Sequence, residues 1–445
     1  MILSLDMGTT SISAVLYDTR RRVAVCSAEC PNDAGITGLP ADRHEQCAAT
    51  LVAAAGGLMD SLIRQSGVSP DEIVGLALTG QQHGVVVVDA DWQPLTNLIT
   101  WRDQRAAAVP ESLRKHAHAA NTGCFLHPGY GGLTLHHLIH HGGLPAGAHQ
   151  VLSITGLLAA RLTGRGSIDE TMAASWGILD VQSGQWHHGL LDRLGIPAGL
   201  LPEIAPSCRP LGPAVAPGSS GLTSRTMVFS PVGDNQAGFA GVGDDWGEQA
   251  AVVNLGTSSQ LSVFRPAYAF SPMLETRPFP GGGFLQVYAA LCGGWAYAYL
   301  AEFFQQIAGQ IGGVTLTLPE VFDRMQALAA TTGSNGLIAD TRFAGERNGD
   351  TATGTIGGIN TTNFTPANLV RAFANGIAAE LAGAARQMDF DGRAGLTVVG
   401  NAARRNPLLV KALEQQFSIT CRLIASGGGA AALGAARLVA RLNPG

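Results

Sequence analysis

The strongest constraint on the fold is a short turn that occurs twice. Residues 3–18 read LSLDMGTTSISAVLYD, and residues 252–263 read VVNLGTSSQLSV. In both stretches an apolar run stops at Gly-Thr and small hydroxyl residues and then resumes, which predicts two strands joined by the turn. Asp6 precedes the first glycine, and Asn254 has the corresponding place in the second stretch. We expect two related halves that share one strand–turn–strand unit.

The length of the chain also favours two domains. With 445 residues, it is too long for one ordinary hydrophobic core. Helical patterns follow the strands in each half, for example at residues 43–65, at 150–164 and after Thr365, which is placed to cap a helix that starts with Pro366. Residues 197–221 are rich in Pro, Gly and Ser and are expected to cross between the domains. The prediction is an α/β chain with domains at 1–228 and 229–445 around a cleft.

Composition argues against several functional classes. Only 14% of the residues are charged, and the net charge of −5 includes no basic stretch that would bind nucleic acid. No apolar run reaches the roughly 18 residues of a membrane span, and the N-terminus does not resemble a signal peptide. The seven cysteines form no Cys-x-x-Cys pair, which is typical of a reducing cytoplasm. We therefore expect a cytoplasmic protein without nucleic-acid or membrane partners.

The Gly-Thr turns have the chemistry of phosphate binding. Their backbone N–H groups and hydroxyls, at Gly8, Thr9 and Thr10 and again at Gly256, Thr257 and Ser258, can hold phosphate oxygens. Asp6, at the end of its strand, is placed to face a hydrated Mg²⁺. A single metal ion between two domains needs only one carboxylate. This explains why the second stretch has Asn254 where the first has Asp6. The alternative is a pair of ordinary hairpins.

A second candidate acid lies in the string GDNQAG at residues 233–238. Asp234 comes between an apolar strand and a segment of small residues that is expected to start a helix. A carboxylate there can take a proton from a hydroxyl that attacks phosphorus. The alternative is that Asp234 caps the helix, and taken alone the motif favours capping.

Polar strings elsewhere suit a polyol and a nucleotide. GQQHG at residues 80–84 offers Gln82 and His83, and WRDQR at 101–105 offers the flat face of Trp101 and the carboxylate of Asp103. The alternatives are a surface loop and a core tryptophan. Gly400 and Asn401 follow an apolar run, and a flat adenine can pass over a residue without a side chain. The alternative there is a plain strand–helix connection. His136–His141 and the glycine-rich string SGGGAAALG at residues 426–434 are interpreted as structural, the latter as a segment suited to close helix packing.

The order of these motifs resembles the FGGY carbohydrate kinases, two-domain ATP-dependent enzymes of the actin, hexokinase and heat-shock ATPase superfamily. The resemblance covers nearly the whole chain. Within the family, the strings NLITWRDQR, AASWG with QSGQW, NLGTSSQLS and GERN resemble the branch that phosphorylates sedoheptulose more than the xylulose branch. The resemblance implies two duplicated actin/hexokinase-like (ribonuclease H-like) α/β domains around a cleft.

The resemblance also implies roles for particular residues. Asp234 is similar to the family's catalytic base, with Asn235 beside it, and Asp6 to its Mg²⁺-associated acid. The remaining assignments are phosphate turns at Gly8, Thr9, Thr10, Gly256, Thr257 and Ser258, an adenosine segment at Gly400 and Asn401, and a sugar pocket at Gln82, His83, Trp101 and Asp103. The implied cofactors are ATP and Mg²⁺. Gln82 replaces a methionine that is commoner in the family.

The implied reaction is transfer of the γ-phosphoryl group of Mg-ATP to the terminal hydroxyl of a ketose, with sedoheptulose as the first candidate. Xylulose, another pentulose or a polyol is the alternative substrate. A sugar-binding regulator without catalysis and a chaperone-type ATPase are alternatives from other classes. The expected partner is a small sugar, and a homodimer is left open.

Overall fold

The computed structural model describes the chain except residues 111, 114–120, 216–220, 244–246, 248–249, 346–351, 425–428 and 445. The residues Glu346–Asn348 of the GERN string and residues 426–428 therefore lie outside the described part. The described residues form two compact units, residues 1–245, 266–285 and 427–445, and residues 246–265 and 286–426.

Strands make up the centre of both units. The strands are β1 (Ile2–Met7), β2 (Ser11–Asp18), β3 (Val23–Pro31), β4 (Glu45–Gln46), β5 (Gly75–Gly80), β6 (Val86–Val88), β7 (Leu98–Ile99), β8 (Gln150–Leu152), β9 (Ser167–Asp169), β10 (Leu179–Asp180), β11 (Gln185–Trp186), β12 (Glu203–Ala205), β13 (Pro210–Pro213), β14 (Met227–Phe229), β15 (Val232–Gly233), β16 (Ala251–Leu255), β17 (Ser259–Arg265), β18 (Glu275–Pro278), β19 (Phe284–Ala290), β20 (Ile338–Asp340), β21 (Thr355–Gly357), β22 (Leu396–Val399) and β23 (Cys421–Leu423).

The helices follow the strands in both units. They are α1 (Ala48–Ser66), α2 (Gly131–His140), α3 (Ile154–Thr163), α4 (Glu170–Ala174), α5 (His188–Leu194), α6 (Asp234–Val242), α7 (Gly294–Gln310), α8 (Leu318–Ala329), α9 (Pro366–Gln387), α10 (Asn401–Arg405), α11 (Pro407–Phe417) and α12 (Ala430–Leu442). Short 3₁₀ helices cover Pro70–Glu72 and Ala198–Leu200. Within the part of the chain that is described, no helix is long and apolar enough to cross a membrane.

The two units repeat the same strand pairing. In the first, β1 is antiparallel to β2 and parallel to β5, and in the second β16 is antiparallel to β17 and parallel to β22. The first sheet runs β13-β14-β5-β1-β2-β3, and the strands of the second unit run β19-β17-β16-β22-β23. Asp6 pairs with Ser13, and Asn254 pairs with Gln260 at the corresponding place. The duplicated α/β architecture expected from the turns is present.

The start of α9 follows from local sequence, whereas the starts of α1 and α3 are set back by short strands. The Thr365 side chain accepts a hydrogen bond from the Asn368 amide and Pro366 starts α9, as the sequence predicts. The helix predicted from residue 43 starts only at Ala48, because Glu45 and Gln46 pair as β4 with β7. Residues 150–152 form β8, so the helix predicted from residue 150 starts at Ile154 and ends before Gly164.

The C-terminal helix packs against α6 at van der Waals contact of their backbones. A Cβ atom on Gly434 would lie 1.7 Å from the carbonyl oxygen of Ala237, so only glycine fits there. This bears out the structural interpretation of the described part of the glycine-rich segment. Helices α6 and α12 and residues 266–285 belong to the first compact unit. The domain boundary at 228/229, with the sugar assigned to residues 1–228 and the nucleotide to residues 229–445, stays a prediction.

Candidate active site

The first Gly-Thr turn is held from several sides. Residues 8–11 separate Met7 and Ile12, the last paired residues of β1 and β2. Gln46 Nε2 donates to the carbonyl of Thr9 at 2.9 Å, and Trp101 Nε1 donates to the Thr9 hydroxyl at 3.1 Å. Thr10 is exposed. The turn is therefore fixed in shape while one of its hydroxyl residues faces solvent.

Asp6 lies beside this turn as a largely buried acid. Its Oδ1 atom is buried and has no hydrogen-bond partner among the described residues. Burial raises its pKa to about 7, and the negative charges of Asp234 and Glu29 act in the same direction. A buried carboxylate oxygen without a donor, next to a second acid, fits a bound cation. Mg²⁺ commonly keeps several waters and uses one or two carboxylates, so these residues fit a hydrated Mg²⁺.

Asp234 is the first residue of α6. Gly233 occupies the N-cap position, and no side chain makes a capping hydrogen bond there. Asp234 is therefore not the N-cap residue that the motif alone favours, although the backbone amides of Asn235 and of Asp234 itself hydrogen-bond to its carboxylate at the start of the helix. Burial raises the pKa of Asp234 to about 6, although the positive charge of Arg277 opposes the rise. At neutral pH the carboxylate is mostly ionised and is able to accept a proton.

Arg277 connects the residues around Asp234. Its Nε donates to Glu275 at 2.9 Å, and its Nη1 donates to Gln82 Oε1 at 3.2 Å and to Asn235 Oδ1 at 3.3 Å. The arginine is 4% exposed. Burial acts to lower its pKa, but Glu275 outweighs this effect and keeps the guanidinium charged. Arg277 therefore holds two side chains in place: that of Asn235, the residue after Asp234, and that of Gln82 in the GQQHG loop.

Gln82 and His83 are both buried in this loop. Gln82 Nε2 donates to the Thr171 carbonyl and to Gln236 Oε1, each at 3.2 Å. The ring of His83 stacks on Tyr130 with 3.7 Å between the ring centroids, and its Nδ1 donates to the Ser175 carbonyl at 2.7 Å.

The backbone of His83 is in the left-handed region, with φ of 73°. Such a conformation is costly for a residue with a side chain and persists where the surroundings fix it, often at functional sites. His83 is therefore held in a fixed position in the loop.

Asp103 lies in the protein interior, where other residues engage its carboxylate. Its Oδ2 accepts the amide of His44 at 2.8 Å, and its Oδ1 accepts Nε of Arg105 at 2.7 Å. Burial acts to raise the pKa of Asp103, but the hydrogen bonds from Arg105 and His44 outweigh burial and lower it. The side chain is fully buried. In this structure Asp103 supports the loop that carries Trp101, and its predicted contact with a sugar stays a prediction.

The second turn lies in the second unit and differs from the first in length. Three residues, 256–258, separate the paired residues Leu255 and Ser259, against four in the first turn. Thr257 and Ser258 are exposed. The amide of Gly294, at the start of α7, donates to the carbonyl of Gly256 at 2.9 Å. The turn therefore presents its hydroxyl groups to solvent next to a helix N-terminus.

Gly400 lies against the same turn. Its φ of 103° favours glycine, and a Cβ atom there would lie 2.3 Å from the carbonyl oxygen of Leu255 and 2.7 Å from Oδ1 of Asn254. Asn401, which is exposed, starts α10. Asn254, the counterpart of Asp6, therefore packs beside the segment predicted to bind adenosine. The alternative that this segment is a plain strand–helix connection stays open.

The histidines at 136–141 have structural partners. His136 and His140 both hydrogen-bond to the carbonyl of Leu194, at 2.8 and 3.1 Å. Across the described ranges, no group of three or more His, Cys, Asp or Glu side chains is arranged to hold a metal ion. The structural interpretation of this cluster agrees with these contacts.

Sequence reasoning missed Arg277, Glu275, Gln236 and Tyr130. Arg277 and Glu275 are 43 and 41 residues beyond Asp234 in the sequence, on β18. The pattern Glu-Thr-Arg is an available signal, since the same acid-x-Arg spacing recurs at Asp103–Arg105 and Asp340–Arg342, and the side chains pair in all three cases. Nothing in the spacing shows which pair lies beside the candidate base.

Comparison with known proteins gives consistent matches. A family model described as the FGGY family of carbohydrate kinases, N-terminal domain, matches residues 1–241. Mouse sedoheptulokinase is 27% identical, with 93% of this chain and 92% of that protein aligned. A glycerol kinase of Roseobacter denitrificans is 27% identical over 54% of this chain and 50% of its own length. The crystal structure of a xylulose kinase from Rhodospirillum rubrum has the same fold, with a TM-score of 0.86, 22% identity and coverage of 99% and 92%.

Proposed function

The chain belongs to the FGGY family of carbohydrate kinases, and we propose on that premise that it transfers the γ-phosphoryl group of Mg-ATP to the terminal hydroxyl of a ketose. As a family member it is a phosphotransferase that acts on a sugar hydroxyl, and sugar kinases of this family use ATP. The observation that carries the proposal is a pair of interacting acids: Asp6 lies on β1 beside the first Gly-Thr turn, and Asp234 directly follows β15, which pairs with the other side of β5.

Asp234 is the proposed base. Its pKa of about 6 keeps it mostly ionised at neutral pH, and Gly233, not Asp234, occupies the N-cap position of α6. It takes the proton of the terminal hydroxyl as that oxygen attacks the γ-phosphorus in line with the leaving oxygen of ADP. Phosphoryl transfer depends mostly on positioning and on neutralisation of charge, so one well-placed base suffices.

Asp6 is the residue that would hold Mg²⁺, through water or directly. When bound, the ion supplies positive charge to the phosphate oxygens. The partnerless Oδ1 atom of Asp6 supports this role. The proposed phosphate contacts are the hydroxyls and amides of Gly8, Thr9, Thr10, Gly256, Thr257 and Ser258, and the proposed adenosine segment is Gly400–Asn401.

The sugar pocket is proposed at Gln82, His83, Trp101 and Asn235. The side chains of Gln82 and Asn235 share one donor, Nη1 of Arg277, which fixes both beside the base. Trp101 is held by its bond to Thr9, so the sugar loop and the phosphate turn are connected. Asp103 has an indirect role in this proposal: it binds Arg105 and the amide of His44, and thereby supports the loop that carries Trp101.

Sedoheptulose is the proposed ketose. The support is the mouse sedoheptulokinase, which aligns over nearly its whole length, whereas the glycerol kinase aligns over half of its length. Xylulose, another pentulose or a polyol is the alternative substrate. A sugar-binding regulator without catalysis is less well supported, because both Asp6 and Asp234 are retained. A chaperone-type ATPase would give no role to the polar sugar loop.

The test is ADP formation from Mg-ATP by the purified chain with sedoheptulose, xylulose, ribulose, fructose or glycerol. We expect the highest kcat/KM with sedoheptulose. Highest kcat/KM with another sugar would contradict the proposed substrate while leaving a kinase. ATP hydrolysis that does not depend on any sugar would favour an ATPase. A sugar that raises the melting temperature without turnover would favour a regulator.

A further inference from the structure

A cavity lies in the first unit, outside the residues assigned to sugar, nucleotide and metal. Its volume is about 610 Å³, and its polar walls include Arg43, Glu45, Asn97, Arg105, His137 and His141. The N-terminus of α1, at residues 47–49, completes the wall. We call it the β4–β7 cavity, because Glu45 belongs to β4 and Ile99 of β7 also contributes. Its volume lies within the range of small-molecule sites.

The carboxylates at this cavity already have partners. Glu45 accepts a hydrogen bond from Arg105 at 2.5 Å and one from Asn97 at 2.8 Å. Asp103, behind Arg105, is fully engaged with that arginine and with the amide of His44. Arg43 pairs with the exposed Asp42 at 3.6 Å, and such surface ion pairs are weak. Of the two arginines that line the cavity, Arg43 is therefore the one whose positive charge is less neutralised.

Two further features make the cavity attractive to anions. Burial lowers the pKa of His137, and the positive charges of His141, Arg43 and Arg105 lower it further while Asp103 acts in the opposite direction. Helix α1 has no acidic residue in its first turn. The hydroxyl and amide of Thr50 and the amide of Ala49 lower the pKa of the Cys47 thiol, as expected at the positive end of a helix.

We propose that the β4–β7 cavity binds a phosphate monoester of a small polyhydroxy compound. The phosphate group contacts Arg43, which supplies charge, and His137 and His141, which supply N–H donors. The hydroxyl groups contact Glu45 and Asn97, which offer an acceptor and an amide. Inorganic phosphate fills only a small part of about 610 Å³, so the rest of the cavity accommodates the carbon chain.

Two residues on or next to the strands that border the cavity, β4 and β7, hydrogen-bond to Thr9 of the first Gly-Thr turn. Gln46, next to Glu45 on β4, donates to the carbonyl of Thr9, and Gln81 Nε2 donates to Gln46 Oε1 at 2.9 Å. Trp101, two residues beyond β7, donates to the Thr9 hydroxyl. A ligand that shifts either strand shifts Thr9, so occupancy of the cavity regulates phosphoryl transfer. This regulatory part rests on the proposed kinase function, but binding in the cavity does not.

Binding is tested by calorimetry on the full chain with fructose 6-phosphate, fructose and inorganic phosphate as probes. We expect the Arg43→Gln/His141→Gln variant to bind fructose 6-phosphate about 10- to 100-fold more weakly than the unaltered protein, since charge-assisted hydrogen bonds are lost. Arg43→Lys, which keeps the charge, should lose less. Gln82→Ala, in the proposed sugar pocket, is the matched control and should bind with unchanged affinity.

Several results would overturn the proposal. These are unchanged affinity in the Arg43→Gln/His141→Gln variant, loss of affinity in the Gln82→Ala variant alone, and inorganic phosphate that binds as tightly as the sugar phosphate. Both cavity residues are partly or fully exposed, so melting temperatures should confirm that the variant folds. Turnover with and without fructose 6-phosphate then tests the regulatory part. A chain without kinase activity would leave the calorimetric result intact, so failure of the two proposals can be distinguished.

Discussion

Replacement of Asp6 by asparagine should make the folded protein more stable at alkaline pH while abolishing its function. The pKa of Asp6 is about 7 in the folded protein, against 3.8 for an ordinary aspartate. Between these values the folded state binds a proton that the unfolded state has lost, so the free energy of unfolding falls as pH rises. The difference of about 3 pKa units corresponds to roughly 4 kcal/mol once Asp6 is fully ionised, near pH 8.

The measurement is the thermal midpoint of the unaltered protein and of Asp6→Asn at about pH 5 and about pH 8. Asparagine cannot ionise, so the variant should melt several degrees higher near pH 8, and its advantage should shrink to less than half near pH 5, where the unfolded aspartate is already ionised and about 1.7 kcal/mol of the penalty remains. MgCl₂ should raise the midpoint of the unaltered protein near pH 8, relative to NaCl of equal ionic strength, and should not raise that of the variant. Equal pH dependence in both proteins, or equal stabilisation by MgCl₂, would refute the assignment of Asp6.

Two further predictions concern the surroundings of the base. In Gly233→Ala the new Cβ would lie 2.1 Å from Nε2 of Gln82, so the KM for the sugar should rise about tenfold or more with little change in the KM for ATP, whereas Gly238→Ala, which has open space at its Cβ, should match the unaltered enzyme in steady-state assays. In Arg277→Gln the positive charge that lowers the pKa of Asp234 is lost, so the acidic limb of the kcat/KM profile should move to higher pH by about one unit, and by less in Arg277→Lys. An unshifted pH profile in Arg277→Gln would contradict the role of that charge.

The repeated turn allowed much of the architecture to be predicted. A strand that ends in Gly-Thr and restarts after small hydroxyl residues is a local pattern, and both copies form the expected antiparallel pair. The start of α9 at Pro366 is also local, because Thr365 supplies the cap and proline fixes the first backbone angle. Such features depend on a few neighbouring residues, so the sequence is sufficient to predict them.

The start of α1 was harder to predict, since the apolar spacing extends back to residue 43. Glu45 and Gln46 instead pair with Leu98 and Ile99, about 50 residues later in the sequence. A helical pattern cannot show that a distant strand competes for the same backbone hydrogen bonds. The same limit applies to Asp234, where only the structure distinguishes the first residue of a helix from its cap.

The polar site was predicted by residue type but not by contact. Asp103 suited a sugar in the sequence, yet Arg105 and the His44 amide engage it in the protein interior. Arg277 escaped notice because its partners, Gln82 and Asn235, are 195 and 42 residues away in the sequence. The side-chain carbonyl of Gln82 accepts a hydrogen bond from Arg277.

The most direct test of the central claim is turnover of the Asp234→Asn variant at saturating Mg-ATP and saturating ketose, together with the affinity for each ligand. Asparagine has a similar shape but cannot take the proton, so kcat should fall by about 10²–10⁴-fold while both affinities change little. That result would support Asp234 as the base of a sugar kinase. Turnover near that of the unaltered enzyme would contradict it.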